Sequence, residues 1–357
     1  MTFLEQVALA PYTTLGIGGP ARWMATVSTE GDLVWALKFA AEKDLRVFVL
    51  GGGSNLLVGD AGFDGLVVRI ALPGIARDGD CLRVGAGESW DRFVQYAVEN
   101  DLAGVECLAG IPGTVGGTPV QNVGAYGQEV AETIVRVRAF DLELKKFVEL
   151  MKEECGFGYR TSLFNTDPAE GGAKGRYVVT RVDFCLHAGG APQLKYADLA
   201  KRFAEGSSPS LVEVAEAVRA IRGLKGMVTA APDISGEYPS ERDADTCSAG
   251  SFFRNPVVPV EVLGGIASAL EIAEDKVPHW AVGNDRVKLP AAWLIEQAGF
   301  PRGYVMGSVG ISTRHTLALT NRGGATTAEM VALRDEIARV VCERFGVSLE
   351  QEPVLVS

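Results

Sequence analysis

Histidine is nearly absent from this chain: His187, His279 and His315 are the only three among 357 residues, and each stands alone. No His-Glu-x-x-His pair and no local Ser-His arrangement exists, so a zinc site or a histidine base could only be assembled from distant positions, and no metal site is expected. Cysteine is equally sparse. Cys81, Cys107, Cys155, Cys185, Cys247 and Cys342 are scattered without a Cys-x-x-Cys pair, and Met1 to Ala10 lacks the pattern of a signal peptide. That combination predicts reduced thiols in a cytoplasmic protein. Uninterrupted apolar runs are missing too, since Val257 to Ala273 is broken by Pro259, Glu261, Gly264 and Gly265, and no membrane span is expected. Basic charge is in deficit, with 34 Lys and Arg against 45 Asp and Glu and a net charge of −11. A general binder of nucleic acid or anionic membrane is disfavoured, although local basic clusters remain able to hold a small anion. Neither Gly-Lys-Ser nor Gly-Lys-Thr occurs, which removes a Walker loop, and there is no Gly-x-Ser-x-Gly elbow.

What is present in excess is glycine. There are 43, about 12% of the chain against roughly 7% in ordinary proteins, with no three-residue period. Backbone that bends sharply or closely approaches a ligand is implied. The 47% apolar and 22% charged content is otherwise that of a globular protein, and the length suits two or three domains.

The N-terminal part reads as mixed α/β. A helix over Asp32 to Asp44 presents Leu33, Leu37 and Ala40, with Val34 and Ala41 beside them. Strand-like Val47 to Leu50, Leu66 to Ile70 and Leu82 to Val84 follow, then a helix from Ser89 to Asn100. Further strand-like runs span Thr133 to Phe140 and Tyr177 to Leu186. Ser210-Leu-Val-Glu213 and Thr326-Thr-Ala-Glu329 are capping boxes opening helices with Val214, Val218 and Ile221, and with Met330, Leu333, Ile337 and Val341, facing inward. A last strand is expected over Val347 to Val356. Residues 228–246 carry five acids, one arginine, Pro232, Gly236 and Pro239, which reads as an exposed acidic linker or insertion.

Gly16-Ile-Gly18-Gly-Pro20-Ala21 formally fits a dinucleotide fingerprint, but no strand precedes it and Pro20 interrupts it, so a Rossmann site is rejected. Gly51-Gly52-Gly53-Ser54-Asn55 directly follows an apolar strand. Consecutive glycines let backbone N–H groups converge, and Ser54 and Asn55 add donors, an arrangement suited to a pyrophosphate, with a plain glycine turn as the alternative. Ala109 to Gly127 is punctuated by glycine throughout and is too irregular for a helix or central strand, and one long cofactor would need two such loops. Tyr159-Arg160 lies between glycines, and arginine recognises planar carboxylates and phosphates. Ser251 stands between Gly250 and two phenylalanines, either a shielded proton donor or a capped core turn. Arg219, Arg222 and Lys225 recur near the end of the helix opened by Ser210, where helix-end cations also complement the dipole.

Taken in order, seven segments resemble the UDP-N-acetylenolpyruvoylglucosamine reductase family over nearly the whole chain. They are Thr14-Leu-Gly-Ile-Gly-Gly19, Leu50-Gly-Gly-Gly-Ser-Asn-Leu56, Ile111-Pro-Gly-Thr114, Gln121-Asn-Val-Gly-Ala-Tyr-Gly127, Phe157-Gly-Tyr-Arg-x-Ser-x-Phe164, Ala249-Gly-Ser-Phe-Phe-x-Asn-Pro256 and Lys288-Leu-x-Ala-x-Trp-Leu-Ile-Glu296. The resemblance implies an α+β architecture: a vanillyl-alcohol-oxidase-type FAD-binding fold of two α/β subdomains plus a third, α+β substrate-binding domain. It implies subdomains over 1–70 and 71–225, an acidic linker over 226–246 and a substrate domain over 247–350, with the 351–357 strand returning to the first.

FAD, held without a covalent bond, would be contacted by Gly51, Gly52, Gly53, Ser54, Asn55, Ile111, Gly113, Thr114, Gly116, Gly117, Asn122, Gly124, Ala125 and Tyr126. NADPH would supply hydride, and UDP-N-acetylglucosamine-enolpyruvate would be reduced in peptidoglycan precursor synthesis. The resemblance assigns Arg160 and Glu352 to the substrate's carboxylate and Ser251 to proton delivery. Glu350 and Glu352 would share one face of a strand, and only the family's Leu-Glu-x-Glu ending selects Glu352. Tyr159, Tyr196, Arg222, Lys225, Asn255, Lys288 and Gln297 are matched to substrate binding. A cytoplasmic monomer is expected. The alternatives are another oxidase or dehydrogenase on the same fold, against which the Tyr-Arg and Gly-Ser-Phe-Phe segments speak, and an inactive flavin-binding module, disfavoured by retention of Arg160, Ser251 and Glu352.

Overall fold

A computed structural model describes residues 1–204 and 206–357. The chain divides into one unit of residues 1–7, 21–53 and 64–224, and a second of residues 8–20, 54–63 and 225–357.

In the first unit, Thr29 and Asp32 form a reciprocal cap that opens the helix Glu30–Glu42, which buries Leu33, Ala36 and Ala40 while Val34 faces out. The apolar run after it becomes the strand Arg46–Leu50, paired in parallel with Phe63–Ile70 in a four-stranded sheet completed by Pro20–Val27 and Phe3–Ala8. A second, antiparallel sheet runs Lys146–Met151, Ile134–Asp141, Tyr177–Cys185, Cys81–Gly85 and Ile75–Asp78. Ser89 caps the helix Trp90–Glu99, whose Trp90, Phe93, Val94 and Ala97 are buried. Ser210 and Glu213 cap Leu211–Leu224, which buries Val214, Val218 and Ile221.

The second unit packs Val262–Leu270, Ala291–Gln297 and the long helix Thr327–Phe345 around two three-stranded sheets. Met330, Leu333, Ile337, Val341 and Phe345 recur at three- and four-residue spacing and enter its core beside Phe252, Phe253 and Leu294. Among the described residues no helix is long and apolar enough to cross a membrane.

Three sequence expectations are corrected. The 228–246 stretch is not simply an exposed linker. Tyr238 is buried and donates its N–H to Pro11 O at 2.7 Å, Glu237 accepts from the Tyr12 hydroxyl at 3.0 Å, and Arg242 donates to Thr14 O at 2.8 Å. The short residues in its partner loop make room for this: Gly16 has φ +65, and a Cβ there would meet Arg242 Nη2 at 2.8 Å. Secondly, only Val354–Val356 is a strand, parallel to Leu56–Val58, and Glu350 and Glu352 lie before it. Thirdly, Cys81 and Cys185 are not free thiols. They are directly opposed in the antiparallel pair of Cys81–Gly85 and Tyr177–Cys185, with Cα atoms 4.1 Å apart, and form a disulfide. Nothing in their sequence spacing signals a cross-strand register. Cys107, Cys155, Cys247 and Cys342 are free.

The far end of the 228–246 stretch is anchored by Asp245, which is 5% exposed. Burial raises its carboxyl, but the Thr313 hydroxyl and N–H, Ser312 and Arg314 outweigh that and hold it below the usual 3.8. A depressed folded value means stability that is present above the ordinary aspartate range and lost as pH falls through the folded value. Asp245→Asn is expected to cost about 2 kcal/mol at pH 7. The difference from the parent, measured by urea unfolding, should shrink steadily below pH 4; a difference that persists undiminished at acid pH would show that charge is not what Asp245 contributes.

Candidate active site

Candidate functional residues occur in both units. In the first, Gly51–Gly53 end the strand Arg46–Leu50 and lie against the second glycine loop. A Cβ on Gly52 would sit 2.5 Å from Gly113 Cα and 2.9 Å from its carbonyl carbon, and one on Gly51 would sit 3.1 Å from Thr114 Oγ1. The two loops therefore meet backbone to backbone, and only glycine permits it. The Thr114 hydroxyl is buried with no hydrogen-bond partner among the described residues. A buried orphan hydroxyl beside two glycine loops is the condition in which a phosphate-bearing cofactor supplies the missing partner. The second loop is fixed by Trp90 N–H to Gly113 O at 3.1 Å, Val115 N–H to Glu88 O at 2.9 Å and Gly116 N–H to Ala86 O at 2.9 Å. Space is open around Gly117.

Three side-chain-bearing residues here adopt the left-handed conformation: Asn122 at φ +43, Tyr126 at φ +50 and Arg160 at φ +55. Each such residue costs on the order of 1 kcal/mol, and such strain gathers at functional sites. Specific bonds hold them. Asn122 donates to Glu129 at 2.7 Å and Gly158 O at 3.0 Å and accepts from Ala131 N–H at 3.1 Å. Gly158 and Thr161 exchange backbone bonds, so Tyr159 and Arg160 form the tip of a two-residue turn. Tyr159 is 53% exposed, and Arg160 donates to Gly124 O at 3.1 Å. Asn122 thus joins the glycine loop to the turn that carries Arg160.

Arg222 is 8% exposed and donates to Gly110 O at 3.0 Å and to the Tyr126 hydroxyl. Burial lowers its guanidinium from the usual range, Tyr126 and Asp91 oppose that, and Arg160 adds repulsion. The Tyr126 phenol is raised by burial, with Arg222 opposing. The Tyr196 ring meets Tyr126 edge-on at 5.2 Å. Ile111, Gly124 and Ala125 lie in the same loop, half-buried. Arg219, a sequence candidate for anion binding, instead pairs with Asp91 at 2.9 Å, and Asp91 also accepts Gly110 N–H at 2.6 Å. Asp91, Glu106 and Gln128 shape this region and were not singled out by sequence. Glu106 had a signal, a lone acid inside the apolar run Gly104-Val-Glu-Cys-Leu-Ala109.

In the second unit, Ser54 O accepts from the Thr14 hydroxyl at 3.4 Å, Asn55 O accepts from Val354 N–H at 2.9 Å and Asn55 Nδ2 reaches Glu352 O at 3.4 Å. Phe253 and Gln351 form an antiparallel bridge, flanked by Arg254 N–H to Glu350 O at 3.0 Å and Glu352 N–H to Phe252 O at 2.9 Å. That bridge sets Glu352 opposite Phe252, the residue following Ser251. Ser251 itself is half-buried, beside Gly250 at φ +74 and the buried, T-shaped Phe252–Phe253 pair, and its hydroxyl makes no hydrogen bond among the described residues. Asn255 accepts Ala291 N–H at 2.9 Å at the start of the helix that ends in Gln297. Lys288 lies on the central strand Arg286–Lys288, opposite Val257 and Trp280, and Lys225 is half-buried.

Comparison with known proteins is consistent across the chain. Residues 21–143 match the model of an FAD binding domain, and residues 242–356 that of the UDP-N-acetylenolpyruvoylglucosamine reductase C-terminal domain. The UDP-N-acetylenolpyruvoylglucosamine reductase of Streptomyces coelicolor is 44% identical over 99% of this chain and 90% of its own length, and that of Thermobifida fusca is 42% identical over 99% and 98%. The crystal structure of the corresponding Thermus caldophilus reductase superimposes with a TM-score of 0.63 at 29% identity, covering 99% of this chain and 98% of that one. The fold is accordingly that of the reductase family, an FAD binding domain followed by the reductase C-terminal domain. The chain belongs to the UDP-N-acetylenolpyruvoylglucosamine reductase family and is an FAD-dependent oxidoreductase.

Proposed function

We propose that the protein reduces the enolpyruvyl group of UDP-N-acetylglucosamine-enolpyruvate to give UDP-N-acetylmuramate, with NADPH as hydride donor, as a step toward peptidoglycan. The observation that supports it most is the co-occurrence of the glycine-loop cradle around an unpartnered Thr114 hydroxyl with Arg160 locked at φ +55 beside Gly124. When bound, FAD would supply two-electron (hydride) chemistry between NADPH and the vinyl carbon. Gly51, Gly52, Gly53, Ser54, Asn55, Ile111, Gly113, Thr114, Gly116, Gly117, Asn122, Gly124, Ala125 and Tyr126 are proposed to hold it. The 50–58 loop contains neither histidine nor cysteine, so the flavin is proposed to be dissociable.

Hydride arrival at a vinyl carbon leaves negative charge on the neighbouring carbon and its carboxylate. A guanidinium fixed beforehand beside that carboxylate favours the charged state selectively, by about 3 kcal/mol per preorganised donor. Arg160 is assigned this role together with Glu352. Ser251 is assigned proton delivery to the carbanionic carbon, which is basic enough to take a hydroxyl proton when geometry is fixed. Glu352 is chosen over Glu350 on the family's Leu-Glu-x-Glu ending; its N–H bonds to Phe252 O and its C=O accepts from Asn55. Lys225, Asn255, Lys288 and Gln297 are proposed to bind the nucleotide sugar with Tyr159 and Tyr196. Arg222, bonded to Gly110 and Tyr126, is proposed to act as a fixed cation behind the substrate anion. The domain division 1–70, 71–225, 226–246 and 247–350, a monomeric state and a cytoplasmic location are part of the same proposal.

The test is to purify the protein, record its visible absorption and follow NADPH oxidation with and without the enolpyruvyl sugar. A yellow protein whose NADPH oxidation depends on that sugar is expected; a colourless one that neither takes up FAD nor oxidises NADPH would overturn the reading. Gly52→Ala checks the cradle itself. Its methyl collides with Gly113 backbone, which has no flexible end to swing away. A loss of at least about tenfold in FAD affinity is expected, equivalent to about 1.4 kcal/mol, read as flavin content and by titration of the apoprotein.

A further inference from the structure

Glu106 is fully buried and forms no ion pair among the described residues, an arrangement that is costly for a carboxylate unless donors surround it. Three do. Gly104 N–H donates at 2.7 Å, Gln128 Nε2 at 2.7 Å and Gln193 N–H at 3.0 Å. Gln128 is also fully buried, and its Oε1 accepts Cys107 N–H at 2.8 Å. The Cys107 thiol donates to Gln193 O at 3.2 Å, and Gln193 Nε2 donates to Glu132 at 3.2 Å. Burial first, then Glu106 and Glu132, push the Cys107 thiol up to about 12, so it remains a donor. Gln193 is therefore gripped at its N–H, its C=O and its side chain.

The two segments tied together matter. Gln128 follows Tyr126 and Gly127 of the glycine loop, and Gln193 lies three residues before Tyr196. A Cβ on Gly127 would meet Lys195 Cβ at 3.4 Å, and Tyr126 and Tyr196 pack edge to face at 5.2 Å. Beyond Gln193 the strap exposes Lys195 and Tyr196, and it is next anchored by the short helix Ala197–Ala200, whose Leu199 is buried and whose Leu199 and Ala200 N–H groups bond to Tyr196 O. We propose that Glu106 is a positioning residue, the centre of a clasp with Gln128 and Gln193 that sets Tyr196 against Tyr126 and so places it over the nucleotide sugar. A glutamate side chain suits the clasp because its two oxygens can accept all three N–H groups, whereas an amide presents an N–H of its own. Glutamine at 106 would turn an N–H toward an N–H. The role in substrate placement rests on the reading that Tyr196 covers the substrate; the clasp itself does not.

The experiment compares Glu106→Gln, Gln193→Pro and Tyr196→Ala, singly, and the first and last combined. Hydrogen exchange of the purified holoprotein is expected to speed at least tenfold over 190–196 in Glu106→Gln and in Gln193→Pro, with the 211–224 helix unchanged. KM for the enolpyruvyl sugar should rise about tenfold in either variant while the rate of flavin reduction by NADPH holds. The combined variant should bind substrate no worse than Tyr196→Ala alone, because both remove one function. Unchanged exchange over 190–196, or fully additive losses in the combined variant, would overturn the proposal. Tyr196→Ala with an unaltered KM would overturn the substrate reading alone, with the exchange data still deciding the clasp. If Glu106→Gln does not fold, Gln193→Pro carries the same test, since it removes one donor from a half-buried strap and leaves Glu106 in place.

Discussion

Ser251→Ala is expected to leave reduction of the bound flavin by NADPH within about twofold of the parent, and to slow its reoxidation by the enolpyruvyl sugar by at least about 10³-fold. The asymmetry follows from where the proton is needed. Reduction of the flavin by NADPH needs no proton from Ser251, whereas reduction of the vinyl group is complete only when the carbanionic carbon is protonated. The site around Ser251 suits a donor of that kind. Gly250 at φ +74 turns the chain, Phe252 and Phe253 lock the following residues into the core, and the hydroxyl is committed to no hydrogen bond among the described residues. Its mobility is low because Phe252 N–H is held by Leu317 O at 2.7 Å and Phe252 O by Glu352 N–H at 2.9 Å. Stopped-flow absorbance of the flavin separates the two half-reactions. Equal slowing of both would mean that Ser251 shapes the fold and not the proton transfer, and wild-type rates in both would remove the role altogether. Cysteine at 251, a better acid of similar size, should recover part of the second half-reaction.

Much of the scaffold is legible in the residues, for a physical reason. Capping boxes are local: Ser210 with Glu213 and Thr326 with Glu329 open helices where their spacing says they do, and the inward faces Val214-Val218-Ile221 and Met330-Leu333-Ile337-Val341 are the buried ones. The glycine loops are legible as irregular backbone, and the close approach of Gly52 to Gly113 is what their glycines permit, although a run such as Gly51-Gly52-Gly53 by itself also suits a plain turn. What escapes is whatever depends on distant partners. The acidity of 228–246 suggested solvent, yet Tyr238, Arg242 and Asp245 bond to Pro11, Thr14 and Thr313, none of which local composition reveals. The expected strand over Val347 to Val356 shrinks to its last three residues because the pairing partner Leu56–Val58 is itself only three residues long. Cys81 and Cys185 are 104 residues apart in sequence and meet only through strand register. Glu106 looks like an isolated acid until Gln128 and Gln193 are folded against it.

Arg160→Lys is expected to slow flavin reoxidation by the substrate at least about 10²-fold, with little change in flavin content or unfolding midpoint. Charge is conserved in this variant, so the loss measures geometry. A guanidinium offers two parallel N–H donors to a carboxylate while a third holds the protein; an ammonium is a single point on a flexible stem. Here that third bond goes to Gly124 O at 3.1 Å, which fixes the side chain before any substrate arrives. The backbone supplies a second, independent check. Arg160→Gly removes the φ +55 strain, worth on the order of 1 kcal/mol, but also gives up the Gly124 bond, worth about the same, and loosens the unfolded chain by several tenths. The terms nearly cancel, so stability by urea unfolding should change by no more than about 1 kcal/mol while the second half-reaction falls further than in the lysine variant. An Arg160→Lys enzyme that reoxidises at the parental rate would show that any cation suffices there. Arg160→Gly with full activity would remove Arg160 from the chemistry and leave its strained turn without a function.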